Sequence, residues 1–421
     1  LVPEEALQDT LFLGELGLNG EIKKVKGVLP IVQEAAKSGI RRVVVPGENA
    51  MEAAVIPGIT VWGVNCLNDL LAALNHPELE TEKVYQPRIR AEDLLREGTG
   101  QDTGDFREVA GQENAKRGAE IAAAGFHNLL MIGPPGVGKS MVAGRIPGIL
   151  PPLTLKESLE VTGIFSVAGL LPPGQALITR RPFYAPHHTV TQAALIGGGS
   201  GIPRPGMVSL AHRGVLFLDE LPEFRKNVLD GMRQPMEERK VQIARSAGMV
   251  TYPSDFILVA AMNPCPCGYY PDRNKCRCTQ PQIEKYLGKI SGPILDRIDL
   301  CVELHPVDIL HLQKTKTEKS SEDMKRQIRH ARERQAERFA GTDCRFNGDI
   351  RSAQVEEYCP LGEEGQKVME QLYRTLQLSA RVYHRILKTA RTIADLEDRE
   401  EITGEHLLEA ACYRPSETYW N

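Results

Sequence analysis

The sequence NLLMIGPPGVGKS at residues 128–140 decides the fold, because it joins an apolar run to a glycine-rich turn. The apolar run 128–132 is typical of a buried parallel strand, and MVAGRI after the turn is compatible with a helix. A loop between such a strand and helix directs its backbone N–H groups inward, where they hold phosphates. The stretch therefore predicts a parallel α/β core with a nucleotide at the end of its strand.

Each residue of this loop is a candidate nucleotide ligand: Gly133, Pro134, Pro135, Gly136, Val137, Gly138, Lys139 and Ser140. We expect Lys139 to neutralise the β- and γ-phosphates and the Ser140 hydroxyl to bind Mg²⁺. A chance turn of glycine and proline is the alternative, but the strand, the spacing and the Lys-Ser pair together disfavour it. ATP and Mg²⁺ are thus the expected substrate and ion.

Polar side chains also follow two further apolar runs. GVLFLDE ends in Asp219 and Glu220, and FILVAAMN ends at Asn263. Ligands of open parallel sheets bind beyond the carboxyl ends of the strands. Asp219 is therefore expected to hold Mg²⁺, usually through water, Glu220 to polarise the attacking water and Asn263 to orient that water. Without other evidence, acidic and amide residues after a strand are typical of solvated turns. The phosphate loop upstream makes the catalytic interpretation the stronger one.

Arg297, in GPILDRID, stands between carboxylates on a predicted helix end. The simpler interpretation is a surface ion pair, which contributes little stability. The functional alternative is an arginine finger, since a fixed planar cation suits the charge that develops on the γ-phosphate. That role requires a ring in which Arg297 reaches the nucleotide of the neighbouring subunit.

The chain divides into four segments. Residues 1–78 predict a small α/β domain, with a helix at Val28–Lys37, strands at 41–45 and 59–64 and a helix at 67–74. Residues 79–104 predict a linker or extended arm. Residues 105–306 predict the ATPase core, with strands at 128–132, 215–218 and 256–261. Residues 307–421 predict an exposed charged helix followed by a helical lid.

Composition limits the class of protein. The chain has 421 residues, 42% hydrophobic and 25% charged, which is ordinary for globular domains. No apolar run is long enough to span a bilayer, so we expect a cytoplasmic protein without membrane contact. The net charge of −4 gives no global indication of nucleic-acid binding. Any DNA contact must therefore be local.

A cysteine cluster follows Asn263. CPCGYYPDRNKCRC holds two C-x-C pairs, contributed by Cys265, Cys267, Cys276 and Cys278. Four thiolates could form a tetrahedral Zn²⁺ site in a loop too short to have its own core. C-x-C is less typical of zinc than C-x₂-C, so free or redox-active thiols remain the alternative.

With these residues assembled, the chain resembles the magnesium-chelatase-like branch of AAA+ proteins, and specifically the bacterial YifB/ComM family. The strings that carry the resemblance cover nearly the whole chain, among them GELGLNGEIKKVKGVLP, DFREVAGQENAKRGAEIAAAGFHNLLMIGPPGVGKS, RRPFYAPHHTVTQAALIGGG, PRPGMVSLAHRGVLFLDELPEF, AAMNPCPCGYY and SARVYHRILKTARTIADL. The resemblance implies a hexameric ATPase ring.

The same resemblance implies roles for several residues. Asn263 would be the sensor-1 residue, Arg297 the finger and Arg381 the sensor-2 arginine that reports the γ-phosphate to the lid, with Arg385 a weaker rival. Residues 164–200 would form an insertion in the core, and residues 240–252 a hairpin; both would face a central pore.

Three further residues have competing interpretations. VQIARSAGMVTY alternates as a hairpin should, with residues 246–248 at the turn. Arg245 near its tip could contact DNA phosphates or could simply be solvated. His187 and His188 in YAPHHT could bind a metal, but adjacent histidines on a loop more often form local hydrogen bonds.

Residues 1–78 resemble part of the Lon-protease-like, S5-like domain that this family carries at its N-terminus. Lon-type catalysis needs a serine activated by a lysine, and Leu29 stands where the family's lysine would align. We therefore expect a non-catalytic interaction or DNA-contact module that is truncated upstream.

Together these observations predict a ring-shaped, Mg²⁺-dependent ATPase that moves single-stranded or branched DNA and, by resemblance, promotes branch migration in recombination or transformation. A motor subunit of a metal chelatase is the main alternative. An ATP-gated protease and a nucleotide-switched binding module are disfavoured, the first by the missing dyad and the second by Glu220, Asn263 and Arg297.

Overall fold

The computed structural model describes residues 2–76, 80–98, 104–199, 201, 203–245, 248–307, 319–414 and 419. These residues form a small α/β module, a larger α/β core and a set of C-terminal helices. The α/β fold class predicted from the sequence is confirmed. Within the described part of the chain, every helix is too short or too polar to cross a membrane.

The first module is built on a three-stranded parallel sheet of order β1-β4-β5. Its helix α1 has the predicted bounds, because Val28, Leu29 and Val32 place one apolar face against the sheet. The module comprises β1 Thr10–Phe12, β2 Glu15–Leu16, β3 Ile22–Lys23, α1 Val28–Lys37, β4 Arg42–Pro46, α2 Ala50–Ala53, β5 Thr60–Val64 and α3 Leu67–Asn75.

The segment 79–104, expected to be a linker or extended arm, contains two short helices, α4 Glu80–Lys83 and α5 Ala91–Glu97. Ala91 is buried, and Leu94 and Leu95 pack against the apolar core of the first module. Helix α5 has only two turns, which is too short for its apolar face to give a clear helical periodicity in the sequence. The prolines and glycines around it therefore made the segment resemble a linker. Residues 99–103 lie outside the described part of the chain.

The core contains a five-stranded parallel sheet of order β14-β6-β13-β10-β7. The three predicted apolar runs are its central strands, and all of their residues are buried. Its strands are β6 Leu129–Ile132, β7 Phe183–Tyr184, β10 Val215–Leu218, β13 Ile257–Met262 and β14 Leu300–Glu303. Strand β7 falls within residues 164–200, so part of the implied insertion belongs to the sheet instead.

Helices and short ribbons surround this sheet. The helices are α6 Glu113–Gly125, α7 Lys139–Ile149, α8 Leu155–Ala168, α9 Gln192–Ile196, α10 Met207–Leu210, α11 Lys226–Gly231, α12 Arg233–Glu238, α13 Gln280–Leu287 and α14 Gly292–Leu295. The antiparallel ribbons pair β8 Gly197–Gly198 with β9 Arg204–Pro205, and β11 Lys240–Arg245 with β12 Gly248–Pro253. The second ribbon is the predicted hairpin; residues 246 and 247 of its turn lie outside the described residues.

All five strands run in one direction, so the sheet has two different edges. The carboxyl edge, where the strands end, carries Gly133 after β6, Asp219 after β10 and Asn263 after β13. The amino edge, where they begin, carries Asn128 before β6 and Asp299 before β14. This polarity decides which side chains can share a site.

The C-terminal helices are α15 Ser321–Arg338, α16 Val355–Tyr358, α17 Glu363–Thr375, α18 Ala380–Leu396 and α19 Gly404–Cys412. Helix α15 was expected to be exposed, but it buries Met324, Ile328, Ala331 and Gln335 against the core. Gln335 donates from Nε2 to the carbonyl oxygen of Ala124 at 3.1 Å, near the end of α6. The many charges of α15 occupy its other faces and hid this apolar stripe.

Candidate nucleotide-binding site

The phosphate loop takes the backbone shape that its glycines allow. Gly136 and Gly138 have φ values of 80° and 94°, in the left-handed region that favours glycine. A Cβ atom on Gly133 would lie 2.6 Å from the carbonyl oxygen of Leu304, so this position also needs glycine. The loop then runs into α7, whose first residue is Lys139. Strand, loop and helix therefore meet in the predicted order.

Lys139 is buried at the centre of the loop. Its Nζ donates to the carbonyl oxygens of Gly133 at 2.6 Å and Pro134 at 2.9 Å, and to Oδ1 of Asn263 at 3.0 Å. Burial lowers the pKa of Lys139, while the nearby charges of Asp219 and Glu220 act in the opposite direction. All three acceptors are neutral oxygens. Negatively charged phosphate oxygens at the same place would accept stronger hydrogen bonds from the Lys139 ammonium, because both partners would then be charged.

Ser140 and Asp219 come together as predicted. The Ser140 hydroxyl donates to Oδ2 of Asp219 at 2.9 Å. A hydroxyl and a carboxylate are the hard oxygen ligands that Mg²⁺ prefers, and Mg²⁺ usually keeps several waters beside one or two such ligands. This pair therefore fits a magnesium ion bound also by nucleotide phosphates.

Glu220 has an unusual backbone and an unexpected partner. Its φ of 52° lies in the left-handed region, which is uncommon for a residue with a side chain and is found at functional sites. Its carboxylate is 56% exposed, and Oε2 lies 3.0 Å from Nδ1 of His188. The backbone and the histidine together aim this carboxylate over the carboxyl edge.

The sequence analysis missed the role of His188. His187 does form the local hydrogen bond that was expected, between its Nδ1 and the Thr189 hydroxyl oxygen, which are 2.9 Å apart. His188 instead contacts Glu220. Strands β7 and β10 are paired in parallel, so the residues that follow each of them leave the sheet at the same edge. Recognising Phe183–Tyr184 as a strand would have revealed this contact.

Gln112 is a second residue that the sequence analysis missed. Its Nε2 donates to the carbonyl oxygen of Val137, in the phosphate loop, at 3.1 Å, and to that of His305 at 2.7 Å. The Gln112 side chain thus links the phosphate loop to the segment that follows β14 through two hydrogen bonds. A glutamine before a helix gives no distinctive pattern, so only the fold identifies this contact.

Arg297, expected to reach the nucleotide of a neighbouring subunit, and Arg381, expected to report the γ-phosphate to the lid, lie away from the phosphate loop of their own chain. The carbonyl oxygen of Arg297 accepts from Nδ2 of Asn128 at 2.8 Å, which fixes Arg297 at the amino edge. Its guanidinium donates to the carbonyl oxygen of Pro293 and pairs with Glu237. Arg381 pairs with Asp296 beside it. The candidate finger and the candidate sensor-2 residue are therefore neighbours.

The amino edge lies far from the phosphate loop of the same chain. Strand β6 separates Asn128 from Gly133, and its residues span about 13 Å at the usual rise. Among the described contacts, Arg297 and Arg381 touch no residue of the loop. Arg385 is buried and donates to the carbonyl oxygen of Asp296 at 3.0 Å. None of these arginines is placed to contact a nucleotide held by its own subunit.

The arginines at this edge repel one another. Burial lowers the pKa of Arg297, and the charges of Arg381 and Arg233 lower it further. Like charges held together attract an anion more strongly than one charge does. Glu237 and Asp296 pair with Arg297 and Arg381, so an incoming anion would have to compete with these carboxylates.

The four cysteines of the predicted cluster converge. Their Sγ atoms all lie within 4.8 Å of one another, with Cys265 and Cys276 buried and Cys267 and Cys278 half-buried. Burial opposes ionisation of Cys267, but the backbone N–H groups of Tyr269 and Arg277 outweigh it and lower the pKa of this thiol to about 6.

Two other candidates occupy distinct places. Leu29, the position expected to align with the catalytic lysine of Lon proteins, is 1% exposed in the core of the first module. Arg245 is exposed at the tip of the β11–β12 hairpin, and its Nη1 donates to the carbonyl oxygen of Ala244 at 2.8 Å.

A second exposed arginine borders the same point. Arg204 pairs with Gly198 in the β8–β9 ribbon. Nη2 of Arg245 lies 3.1 Å from the position that a Cβ atom on Gly198 would take. Arg204, through its backbone pairing, and Arg245, through its guanidinium, thus both adjoin Gly198. No local pattern predicts this arrangement, because the two arginines are 41 positions apart.

Known proteins resemble the chain over nearly its full length. The family model "Magnesium chelatase, subunit ChlI" matches residues 105–312, its C-terminal model matches 318–414, and "Subunit ChlI of Mg-chelatase" matches 2–49. YifB of Salmonella typhimurium is 42% identical over 96% of the chain and 76% of its own length. Competence protein ComM of Haemophilus influenzae is 40% identical over 96% and 77%.

A more distant similarity concerns Lon protease 2 of Bacillus subtilis, 26% identical over 49% of the chain and 41% of its own length. It accords with a partial likeness to Lon proteins. The two matches near 40% identity, each covering most of both proteins, decide the family. With its parallel sheet, phosphate loop and C-terminal helices, the chain belongs to the YifB/ComM family of magnesium-chelatase-like AAA+ proteins.

Proposed function

We propose that the chain is a Mg²⁺-dependent ATPase that works in a hexameric ring and translocates DNA. One observation carries the ATPase assignment: Lys139, Ser140, Asp219 and Asn263 are joined by hydrogen bonds at the carboxyl edge. The groups that phosphoryl transfer needs, a phosphate-binding lysine, oxygen ligands for a metal and a polar amide, are therefore assembled before nucleotide arrives.

Each group has a task in hydrolysis. Mg²⁺ would be held by Ser140 and Asp219, and it would supply positive charge to the phosphate oxygens. Lys139 exchanges its carbonyl partners for the β- and γ-phosphates. Glu220 takes the proton of the attacking water, and Asn263 orients that water. His188 holds the Glu220 carboxylate in place and acts as a positioning residue.

Among the described contacts, neither Arg297 nor Arg381 touches the phosphate loop of its own chain, so the cation that phosphoryl transfer needs would come from the amino edge of a neighbouring subunit. Arg297 and Arg381 lie at the edge of the sheet opposite to the phosphate loop. A head-to-tail ring brings the amino edge of one subunit against the carboxyl edge of the next. Arg297 would then serve as the finger, and Arg381 would contact the same neighbouring nucleotide.

DNA is the proposed substrate of the motor. Arg204 and Arg245 present two exposed guanidinium groups at adjoining ribbons, and such groups bind backbone phosphates without regard to sequence. The competence protein among the relatives supports a task in transformation, and we assign the chain to branch migration there or in recombination. The magnesium-chelatase family models favour a second candidate, a motor that remodels a chelatase complex.

ATP hydrolysis measured alone, with single-stranded DNA and with a branched DNA distinguishes these functions. We expect both DNA forms to raise the rate, and the double variant Arg204→Ala/Arg245→Ala to keep the basal rate but lose the stimulation. Each lost phosphate contact should lower the salt slope of DNA binding by about 1. If neither DNA form changes the rate of ATP hydrolysis and the branched substrate is not migrated, DNA translocation is excluded and the chelatase motor is favoured.

A further inference from the structure

We propose that Cys265, Cys267, Cys276 and Cys278 bind one structural Zn²⁺, and that this ion fixes the phosphate loop against the end of β13. The Sγ atom of Cys265 lies 3.3 Å from that of Cys267 and 3.8 Å from that of Cys276, and the Cys267 and Cys276 sulfurs are 3.6 Å apart. Four sulfurs at 2.3 Å from a tetrahedral Zn²⁺ would be about 3.8 Å from one another. The cluster already has nearly this spacing.

The chemistry of the cluster favours a closed zinc site. All four thiols are free, so no disulfide competes for them. The backbone N–H of Tyr270 points at Sγ of Cys265 at 3.4 Å, an outer contact that orients and stabilises a metal-bound thiolate. Four sulfur ligands leave no open position for catalysis. The ion would therefore act on structure.

The two ends of the cysteine loop pack against the core, whereas its tip is held by local contacts, such as the hydrogen bond from Arg273 to the carbonyl oxygen of Cys278. Between the two C-x-C pairs it forms turns around Asp272, whose carbonyl oxygen accepts from the N–H of Cys276 at 2.7 Å. Residues 271–275 are exposed. A short exposed loop gains most of its stability from a metal, because binding a metal and ordering the loop are one process.

The cysteine loop packs directly against the nucleotide site. A Cβ atom on Gly268, between the two halves of the cluster, would lie 2.6 Å from Cδ of Pro135 in the phosphate loop and 3.9 Å from Cγ of Asn263. Asn263 is two residues before Cys265 and accepts from Lys139. An ordered cysteine loop thus sets the position of both Pro135 and Asn263.

Metal content tests the first half of the proposal, without any need for activity. Protein purified without chelator should hold about one zinc per chain, Cys267→Ser and Cys278→Ser should each lose it, and Cys412→Ser, an exposed thiol outside the cluster, should retain it. Less than about a tenth of an equivalent in the unaltered protein, or full zinc in both cluster variants, would overturn the metal site.

Nucleotide affinity tests the second half, which rests on the proposed ATP site. Gly268→Ala should keep its zinc yet bind ATP at least about tenfold more weakly, since small displacements of a preorganised site have large effects. Gly341→Ala is the matched control, because its φ of 77° is similar but a Cβ atom there meets nothing within 4 Å. Gly341→Ala should bind ATP normally.

The outcomes separate the two proposals. If the unaltered protein binds no ATP, the proposed function fails while the zinc count still decides the metal site. If it binds ATP and the zinc-free Cys267→Ser and Cys278→Ser variants, checked for folding by thermal melting, bind it equally well, the coupling is refuted. Weakened ATP binding in these variants and in Gly268→Ala, but not in Gly341→Ala or Cys412→Ser, supports it.

Discussion

Mixing inactive variants would show which subunit supplies the arginines. Lys139→Ala removes the phosphate-binding ammonium, while Arg297→Ala and Arg381→Ala each remove a cation from the amino edge. Because β6 separates the two edges by about 13 Å, a Lys139 variant keeps a working amino edge and an arginine variant keeps a working phosphate loop. Each variant therefore contributes what the other lacks at a shared interface.

The size of the expected rescue follows from the geometry. Removal of an arginine finger slows hydrolysis by about 10³-fold or more, so Arg297→Ala alone should be nearly inactive. In an equal mixture, about one interface in four joins an intact phosphate loop to an intact amino edge. Turnover should therefore return to about a quarter of the unaltered rate per subunit, provided that interfaces work independently.

The assay is steady-state release of phosphate from mixtures in which the ratio of the two variants is changed in steps. The rate should be highest near equal amounts and fall towards zero at both ends. Arg374→Ala, an arginine on α17 whose side chain is 81% exposed and whose described ion pair is with Glu370, is the control and should be fully active alone. A rate that never exceeds that of the separate variants would refute the placement of the arginines at a neighbouring site.

Three further outcomes follow from single contacts. His188→Ala should lower kcat by about tenfold with little change in KM for ATP, since it removes the 3.0 Å contact between Nδ1 and the Glu220 carboxylate; equal changes in both constants would contradict a positioning role. Asp255→Ala should cost about 3–5 kcal/mol of stability, because this buried carboxylate pairs with three arginines, and an unchanged melting temperature would refute that. The hydrogen bond from His212, with those from Arg213, lowers the pKa of Glu160 from 4.5 to about 2 and outweighs burial. The folded pKa of Glu160 is below its unfolded pKa, so Glu160→Gln should lower the free energy of unfolding by about 1–2 kcal/mol at neutral pH, after allowance for partial exposure. This loss of stability should vanish as the pH falls from 4.5 towards 2. A loss that stays constant with pH would contradict the assignment.

The sequence predicted the elements whose pattern is local. The phosphate loop, the three central strands and helix α1 were identified correctly, because each is a continuous apolar run or a fixed motif. The carboxylates and the amide that follow those strands share one edge, as the rule for parallel sheets requires. The hydrogen bonds from Lys139 to Asn263 and from Ser140 to Asp219 agree with that expectation.

The remaining features depend on pairing that no local pattern shows. Strand β7 has only two residues, so its partnership with β10 was invisible, and with it the contact between His188 and Glu220. The nearness of Arg204 and Arg245 depends on two separate ribbons. The burial of helix α15 was hidden by its charges.

The central claim is that the carboxyl edge binds MgATP and splits it. The most direct measurement compares ATP binding and phosphate release in the unaltered protein and in Glu220→Gln, with and without Mg²⁺. The account predicts that both proteins bind ATP with similar affinity, that only the unaltered one releases phosphate, and that release needs Mg²⁺. Absence of binding by the unaltered protein, or equal turnover by Glu220→Gln, would contradict it.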